Sequence, residues 1–366
     1  MLERVRLWIN QTLSRPAGSP RRIAYVLDAP ELCGGVKVVF QHAALLAAQG
    51  IEVVICGRGP CPDWISIPGR YVDLSKRVPR LGDFELVIAT YWTTVAVAHH
   101  LKCGPVAHFC QGYEGFLDHL LPQLSEIESV YRLPLPTLTV TPFLADFLKQ
   151  RFGRESVLVP PPVDAQFEAP LRSGPHAPAR IVIPGIFECE LKRVRVALDA
   201  IVQLQASGVS CVVTRLSTLP LSSSEAAILK PDRYLCCVPP RDVAQLLRQT
   251  DILLFPSSAG EGFGLPVLEA LAAGVPVIAS RIPSMEFIGA QSLTLVSPDD
   301  STGMASAARE ILSNPVRWHM LAERGQLAAQ RFSSEAITRQ LLAGIAQLAE
   351  SKAHAAGRDL RSLPHA

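Results

Sequence analysis

Two α/β domains, each built on a parallel sheet, are the fold class this chain predicts, and three observations lead there. Its 366 residues exceed the usual size of a single domain. A strand, Gly-rich turn, helix, strand order opens at Arg22 and an α/β pattern restarts at Arg180, as parallel sheets require. Between the two runs, residues 169–179 are rich in Pro, Gly, Ser and His without apolar periodicity, the composition of a linker. The expected organisation is an N-terminal basic amphipathic segment (1–20), a first domain (21–168), the linker (169–179), a second domain (180–335), a C-terminal helix (336–351) and a disordered tail (352–366).

In the opening segment, Leu2, Val5, Ile9 and Leu13 share one helical face with Trp8 at its edge, Arg4, Arg6 and Arg15 flank it, and Pro16 ends the run; Leu7 points away. Such a helix can pack on the first domain, or residues 1–18 can rest on an anionic membrane as a peripheral contact. Arg22–Leu27 reads as the first strand. Cys33-Gly34-Gly35 leads into a helix over 36–49 that Gly50 ends, and 51–56 is the second strand. Gly34 and Gly35 suit any tight turn, and equally a phosphate or sugar at the ligand side of a parallel sheet. Further strands are expected over 84–90, 105–110, 138–141 and 156–160, with a helix over 143–151. The strand over 105–110 ends in Gln111-Gly112-Tyr113-Glu114. Tyr113 and Glu114 can bind hydroxyls of a second substrate or simply build the loop, and His108 can contact a substrate or pack.

The second half begins with the strand Arg180–Gly185, a loop over 186–190 and a helix over 191–206 carrying Lys192, Arg193 and Arg195 near its start. Cations there oppose the helix dipole, so either they are solvated separately or an anion such as a diphosphate offsets them. Strands follow at 211–213 and 251–255, with a helix over 242–249 between them, and the later strands are 275–279 and 292–296. Residues 256–276 carry the most chemistry. Gly260, Gly262 and Gly264 free the loop of Cβ atoms, Pro266 suits the first helical position, and Glu269 lies one turn into a helix that is apolar on every side. A carboxylate there needs a partner. Glu261 stands at the helix mouth, where free N–H groups favour an anion. As an isolated pair, Glu261 could be a surface acid and Glu269 the partner of a structural Arg. Taken with the glycines, carboxylates for hydroxyls beside amides for phosphates describe a nucleotide-sugar pocket.

Composition narrows the classes. With 35 basic against 33 acidic residues the net charge is +2, without the basic excess of a nucleic-acid binder. The nine cysteines lack paired zinc spacing and no signal peptide is evident, so the reducing cytoplasm is the expected compartment, with the inner face of the membrane as a contact. No apolar run reaches the roughly 18 to 20 residues of a membrane span. No metal site is expected, and no Gly-X-Gly-X-X-Gly follows the first strand, which argues against a dehydrogenase.

Glu261-Gly262-Phe263-Gly264-Leu265-Pro266, then Glu269-Ala270 and Gly274–Ser280, resembles the signature of retaining glycosyltransferases of family 4 (glycosyl transferases group 1). Gln111–Glu114 resembles the branch that acts on cell-surface polysaccharides. The resemblance runs from about residue 21 to 350. It implies the GT-B fold, two Rossmann-like domains facing a cleft, with the acceptor held by the first and the sugar nucleotide by the second, and the 336–351 helix returning to the first domain. It implies a hexosyltransferase-like enzyme that retains anomeric configuration, with no cofactor or metal and a nucleotide-diphosphate sugar as donor to a saccharide or lipid-linked acceptor. By this resemblance Glu261 and Lys192 are catalytic; Gly185, Arg193, Gly262, Phe263, Gly264, Leu265 and Glu269 bind donor; and Gly34, Gly35, His108, Gln111, Tyr113 and Glu114 line the cleft or the acceptor site. Where the family places an Arg just after the Gly, this chain has Ile186-Phe187. That departure keeps open a non-catalytic nucleotide-sugar-binding or scaffold protein, and a GT-B sugar-nucleotide epimerase is a further alternative.

Overall fold

The computed structural model describes residues 15–77 and 80–355. The N-terminal amphipathic segment therefore lies outside the described residues up to position 14, as does the expected tail beyond 355. The chain divides into two compact units. The first holds the residues up to Glu114, Pro122–Pro162 and everything from Ser334 onward; the second holds Gly115–Leu121 and Val163–Ser333.

The first unit contains β1 (Arg22–Leu27), α1 (Gly34–Ala48), β2 (Glu52–Gly57), β3 (Arg70–Asp73), β4 (Leu86–Ala89), α2 (Trp92–His100), β5 (Val106–Cys110), α3 (Leu124–Tyr131), β6 (Thr137–Thr139), α4 (Pro142–Phe152) and β7 (Val157–Leu158). The strands form one sheet in the order β3-β2-β1-β4-β5-β6-β7, and its pairings are parallel. Parallel strands are covered on both faces, which is why β1, β2 and β4 read as unbroken apolar runs. Thr141 caps α4 by accepting from the Leu144 N–H, and Gly153, left-handed at φ 66°, ends it.

The second unit restarts the pattern with β8 (Ala179–Pro184), α5 (Val194–Ala206), β9 (Cys211–Ser217), α6 (Ser223–Ile228), β10 (Arg233–Cys236), α7 (Pro240–Leu247), β11 (Ile252–Phe255), α8 (Leu265–Ala272), β12 (Val277–Ser280), α9 (Pro283–Gly289), β13 (Thr294–Val296), α10 (Ser301–Ser313) and α11 (Pro315–Ala329). Its parallel sheet has the order β10-β9-β8-β11-β12-β13. One core packs α5, α10 and α11 on it around Ile181, Ile201, Ile252 and Trp318. The last helix, α12 (Ser334–Ala355), packs on α1 and β7 of the first unit. It continues through 352–355, where a disordered tail was expected. No helix of the described residues is long and apolar enough to cross a membrane.

Two local expectations change. Residues 190–192 form a single 3-10 turn, and Arg193 at φ 48° is left-handed, so α5 begins only at Val194. Lys192 and Arg193 thus precede the helix instead of lying 100° apart on it. Pro266 takes the second helical position, because α8 starts at Leu265. Residues 169–179, the expected linker, are fastened to the second unit: Arg172 and His176 each reach Asp251 at 2.8 Å, and Gln326 donates to the Ala169 carbonyl at 2.7 Å.

Candidate functional site

In the second sheet β8 and β11 are neighbours from which the strand order runs outward in both directions. The carboxyl ends of such a pair bound the crevice where open α/β sheets take ligands. The loop after β8 delivers Lys192 and the loop after β11 delivers Glu261. Their side chains meet there, Lys192 Nζ lying 2.7 Å from Glu261 Oε2, and Glu261 is 7% exposed. The backbone joins the same two loops, since the Ser258 N–H donates to the Leu191 carbonyl at 2.8 Å and the Glu261 N–H to the Ser258 carbonyl at 3.0 Å. Gly185 turns the chain out of β8 at φ 120°, and a Cβ there would stand 3.3 Å from the Cβ of Lys192, so the lysine stem rests on the glycine. Arg193 points to other partners, Glu190 at 3.4 Å and Asp299 at 3.5 Å.

Gly264 is the N-cap of α8 at φ 96°, and a Cβ on it would come within 2.5 Å of the Met285 methyl. A side chain there would be strained by the positive φ and would have to displace the tip of Met285. Gly262 lies in the loop between Glu261 and Phe263. Phe263 is buried edge-on against Phe287 and Phe332, which makes it an anchor of the loop. Leu265 opens α8, and Glu269 is buried in its middle among Val267, Leu268, Ala270 and Leu271. Ser257, in the β11 loop, was not singled out by sequence: its buried hydroxyl has no hydrogen-bond partner among the described residues, so a ligand hydroxyl or phosphate oxygen can take it.

The first sheet has the same arrangement between β1 and β4. Gly34 and Gly35 open α1 after β1, and Gln111 after β5 donates to the Gly35 carbonyl at 3.1 Å. These three lie together at the ligand end of the strands. Glu114 turns inward: its carboxyl accepts from the Tyr131 hydroxyl and from the backbone N–H groups of Trp92, at the start of α2, and of Glu114 itself. Burial raises its pKa to about 7. Tyr113 packs its ring on Tyr131, Phe147 and Phe152. His108 is fully buried, 3.1 Å from an Arg154 guanidinium nitrogen that donates to Nδ1, and burial followed by that charge holds it neutral. His108 and Tyr113, expected either to contact a substrate or to pack in the loop, are both buried in the first unit.

His42, on α1, is a second buried histidine. It stacks on Phe109 with ring centroids 4.9 Å apart, neither ring nitrogen has a partner among the described residues, and burial lowers its pKa to about 3. An unfolded histidine titrates near 6.5, so as pH falls below that value the unfolded chain takes up a proton that folded His42 and His108 refuse. For His42 the cost is about 1.4 kcal/mol of stability per pH unit, and His108 acts in the same direction. Glu114 acts oppositely: with a folded pKa raised above its unfolded value, it contributes stability that is lost as pH rises from 4.5 to about 7. The two histidines outweigh the one carboxyl, so stability should fall as pH drops from 6.5 toward 4.5. His42→Leu should flatten that dependence, as urea unfolding at the two pH values will read; an equal slope in parent and variant would remove His42 from the account.

Among the described residues no group of three His, Cys, Asp or Glu side chains is placed to hold a metal ion.

Residues 178–314 match the family Glycosyl transferases group 1. The chain is 32% identical over 110 residues to O-antigen chain mannosyltransferase B of Escherichia coli, covering 30% of this chain and 29% of that protein. It is 27% identical over 207 residues to phosphatidyl-myo-inositol mannosyltransferase of Mycobacterium leprae, covering 53% and 54%. The matched stretch thus spans about half or less of each of these curated relatives. Among solved structures, sucrose-phosphate synthase of Thermosynechococcus elongatus superposes with a TM-score of 0.70 at 18% identity, over 92% of this chain and 100% of that one. Anabaena HepE, solved with UDP-glucose, gives 0.66 at 14% identity, over 91% and 99%. At those identities the likeness is one of fold. Residues 178–314 accordingly carry a glycosyl transferases group 1 domain, in a chain whose two parallel sheets have the fold of GT-B glycosyltransferase structures.

Proposed function

We propose that the protein is a GT-B glycosyltransferase that moves a sugar from a nucleotide-diphosphate sugar to a saccharide or lipid-linked acceptor, with retention of anomeric configuration and without a bound metal. The observation that carries this reading is the 2.7 Å contact between Lys192 and Glu261 at the mouth of the β8–β11 crevice. In such a donor the anomeric carbon is bonded directly to the phosphate, so a carboxylate for sugar hydroxyls and an ammonium for phosphate oxygens belong side by side. On transfer the bond from the anomeric carbon to the phosphate oxygen breaks, and Lys192 stabilises the charge that builds on the leaving diphosphate. Of the N–H groups that open α8 after Gly264, Pro266 has none and that of Val267 donates to the Gly264 carbonyl at 2.9 Å, so the Leu265 N–H is the one assigned to the same charge. Glu261 orients the sugar hydroxyls and Glu269 the ribose; Gly34, Gly35 and Gln111, with Glu114 behind them, are assigned to the acceptor side in the first unit. The relatives named for O-antigen and phosphatidyl-inositol mannosyl transfer, and the neighbour solved with UDP-glucose, support a sugar nucleotide as donor and a polysaccharide or lipid-linked acceptor. The site is assigned to the cytoplasm, where sugar nucleotides are made.

A panel of sugar nucleotides read by thermal shift tests the donor class, since a ligand at 100 times its dissociation constant adds roughly 2.7 kcal/mol of stability. With the donor found, Glu269→Ala should weaken nucleotide binding, whereas Glu261→Ala should chiefly lower transfer. Parent-like binding and turnover in both variants would refute the pocket. The second reading, a binding protein without catalysis, rests on Ile186 standing where an Arg is expected. Absence of both transfer and donor hydrolysis in a protein that binds donor would select it.

A further inference from the structure

We infer that Arg215 is a positioning residue that sets Lys192 and the Gly185–Ile186 peptide from the neighbouring strand β9, an inference that rests on the donor-site reading. Arg215 lies on β9 and is fully buried. Its guanidinium pairs with Glu225 of α6, itself fully buried, and donates to the Ile183 carbonyl and, at 2.7 Å, to the Gly185 carbonyl. A charge taken so far from water persists only when its donors are satisfied, and here two of its partners are carbonyls on either side of Pro184, where β8 gives way to the Lys192 loop. The Gly185 N–H meanwhile donates to the Leu216 carbonyl at 2.9 Å. Both polar groups of Gly185 are thus tied to β9 or its side chain, which pins the φ of 120° on which the Lys192 stem rests.

The contact has a second consequence. The Gly185–Ile186 peptide is trans, so its N–H is antiparallel to its C=O. With the carbonyl turned inward to Arg215, the Ile186 N–H is turned outward, to the side opposite the guanidinium. At the position where an Arg side chain is missing, the chain presents a fixed backbone donor beside Lys192, oriented by a buried arginine. Glu225 keeps that arginine from acting as a free cation, so its effect is on geometry.

The test compares the parent with Arg215→Met/Glu225→Gln, which removes the charged pair together and so leaves no uncompensated buried ion, and with Arg215→Lys, which keeps the charge but lacks the planar fork that spans two carbonyls. Hydrogen exchange over 184–193 and steady-state kinetics with the donor found by thermal shift are the readouts. The double variant should exchange faster over 184–193 by about tenfold relative to β11 and α8, and should lose roughly 10²-fold in kcat with KM little changed, the scale of a misplaced catalytic group. Arg215→Lys should fall between the two. Lower thermal stability with unchanged exchange in the loop and unchanged kcat would mean that the pair only stabilises the fold, and would overturn the inference. If the loop loosens as expected while the parent itself shows neither donor binding nor turnover, the proposed function fails and the positioning of Lys192 by Arg215 stands.

Discussion

Lys192→Ala should lose roughly 10²-fold or more in kcat, the usual cost of removing one preorganised group that meets developing charge in the transition state. The contact with Glu261 adds a complication that the sequence alone did not raise. Without the ammonium, a carboxylate that is only 7% exposed remains unpaired beside the place assigned to the diphosphate, and repulsion will weaken donor binding as well. Lys192→Ala/Glu261→Gln separates the two effects: donor affinity should recover toward that of Glu261→Gln, while turnover should stay low. Arg193→Ala should be nearly silent, because Arg193 is engaged by Glu190 and Asp299. Full activity in Lys192→Ala with loss in Arg193→Ala would move the role by one residue. The parent should keep its activity in a chelator, and dependence on an added divalent cation would count against a leaving group held by Lys192 and backbone alone.

The parts of this site that could be read from the chain are those whose chemistry is local. Gly264 and Pro266 announce a loop entering a helix, and Glu269 inside an apolar helix demands a partner whatever surrounds it. The central strands of both sheets were equally legible, since a strand buried on both faces is an apolar run. Edge strands β3 and β10 were not: Val72 is the only buried residue of Arg70–Asp73, and Arg233–Cys236 has none, so neither leaves a pattern. The late start of α5 was hidden because Arg193 adopts a left-handed backbone that its residue type does not advertise. Arg215 and Glu225 escaped for a different reason. An arginine in a strand and a glutamate ten residues on look like two surface charges until the fold buries them against each other. Burial of Glu114 and His108 was hidden in the same way, because a Glu in a loop and a His at a strand end carry no sign of it.

Asp251→Ala should destabilise the second unit by about 3–5 kcal/mol, the usual cost of leaving a buried charge network without its centre. Asp251 is fully buried at the start of β11, where an apolar strand was all that the sequence suggested. One carboxylate oxygen accepts from Arg172 and His176, each at 2.8 Å, and the other from the Arg180 N–H at 2.7 Å. Its backbone carbonyl accepts from the Trp318 indole at 2.8 Å, and the Arg172 guanidinium lies 4.9 Å from the centre of that ring. The Asp251 side chain therefore ties the Pro-rich stretch 169–179 and the start of β8 to one strand, while the backbone carbonyl of the same residue holds α11. The stretch is thus held in the second unit despite a linker's composition, by these ion pairs together with the Gln326 and His319 side chains on the Ala169 and Arg172 carbonyls. For a unit of this size the loss corresponds to a fall in Tm of roughly 10 °C. Asp251→Asn, which keeps an acceptor for Arg180 but discards the charge facing Arg172, should fall between parent and Asp251→Ala. Calorimetry measures the size of the effect, and hydrogen exchange locates it: faster exchange over 169–179 is expected, with the first sheet unchanged. A Tm within about 2 °C of the parent would mean that Arg172 and His176 resolvate at little cost, and that packing alone holds the stretch in place.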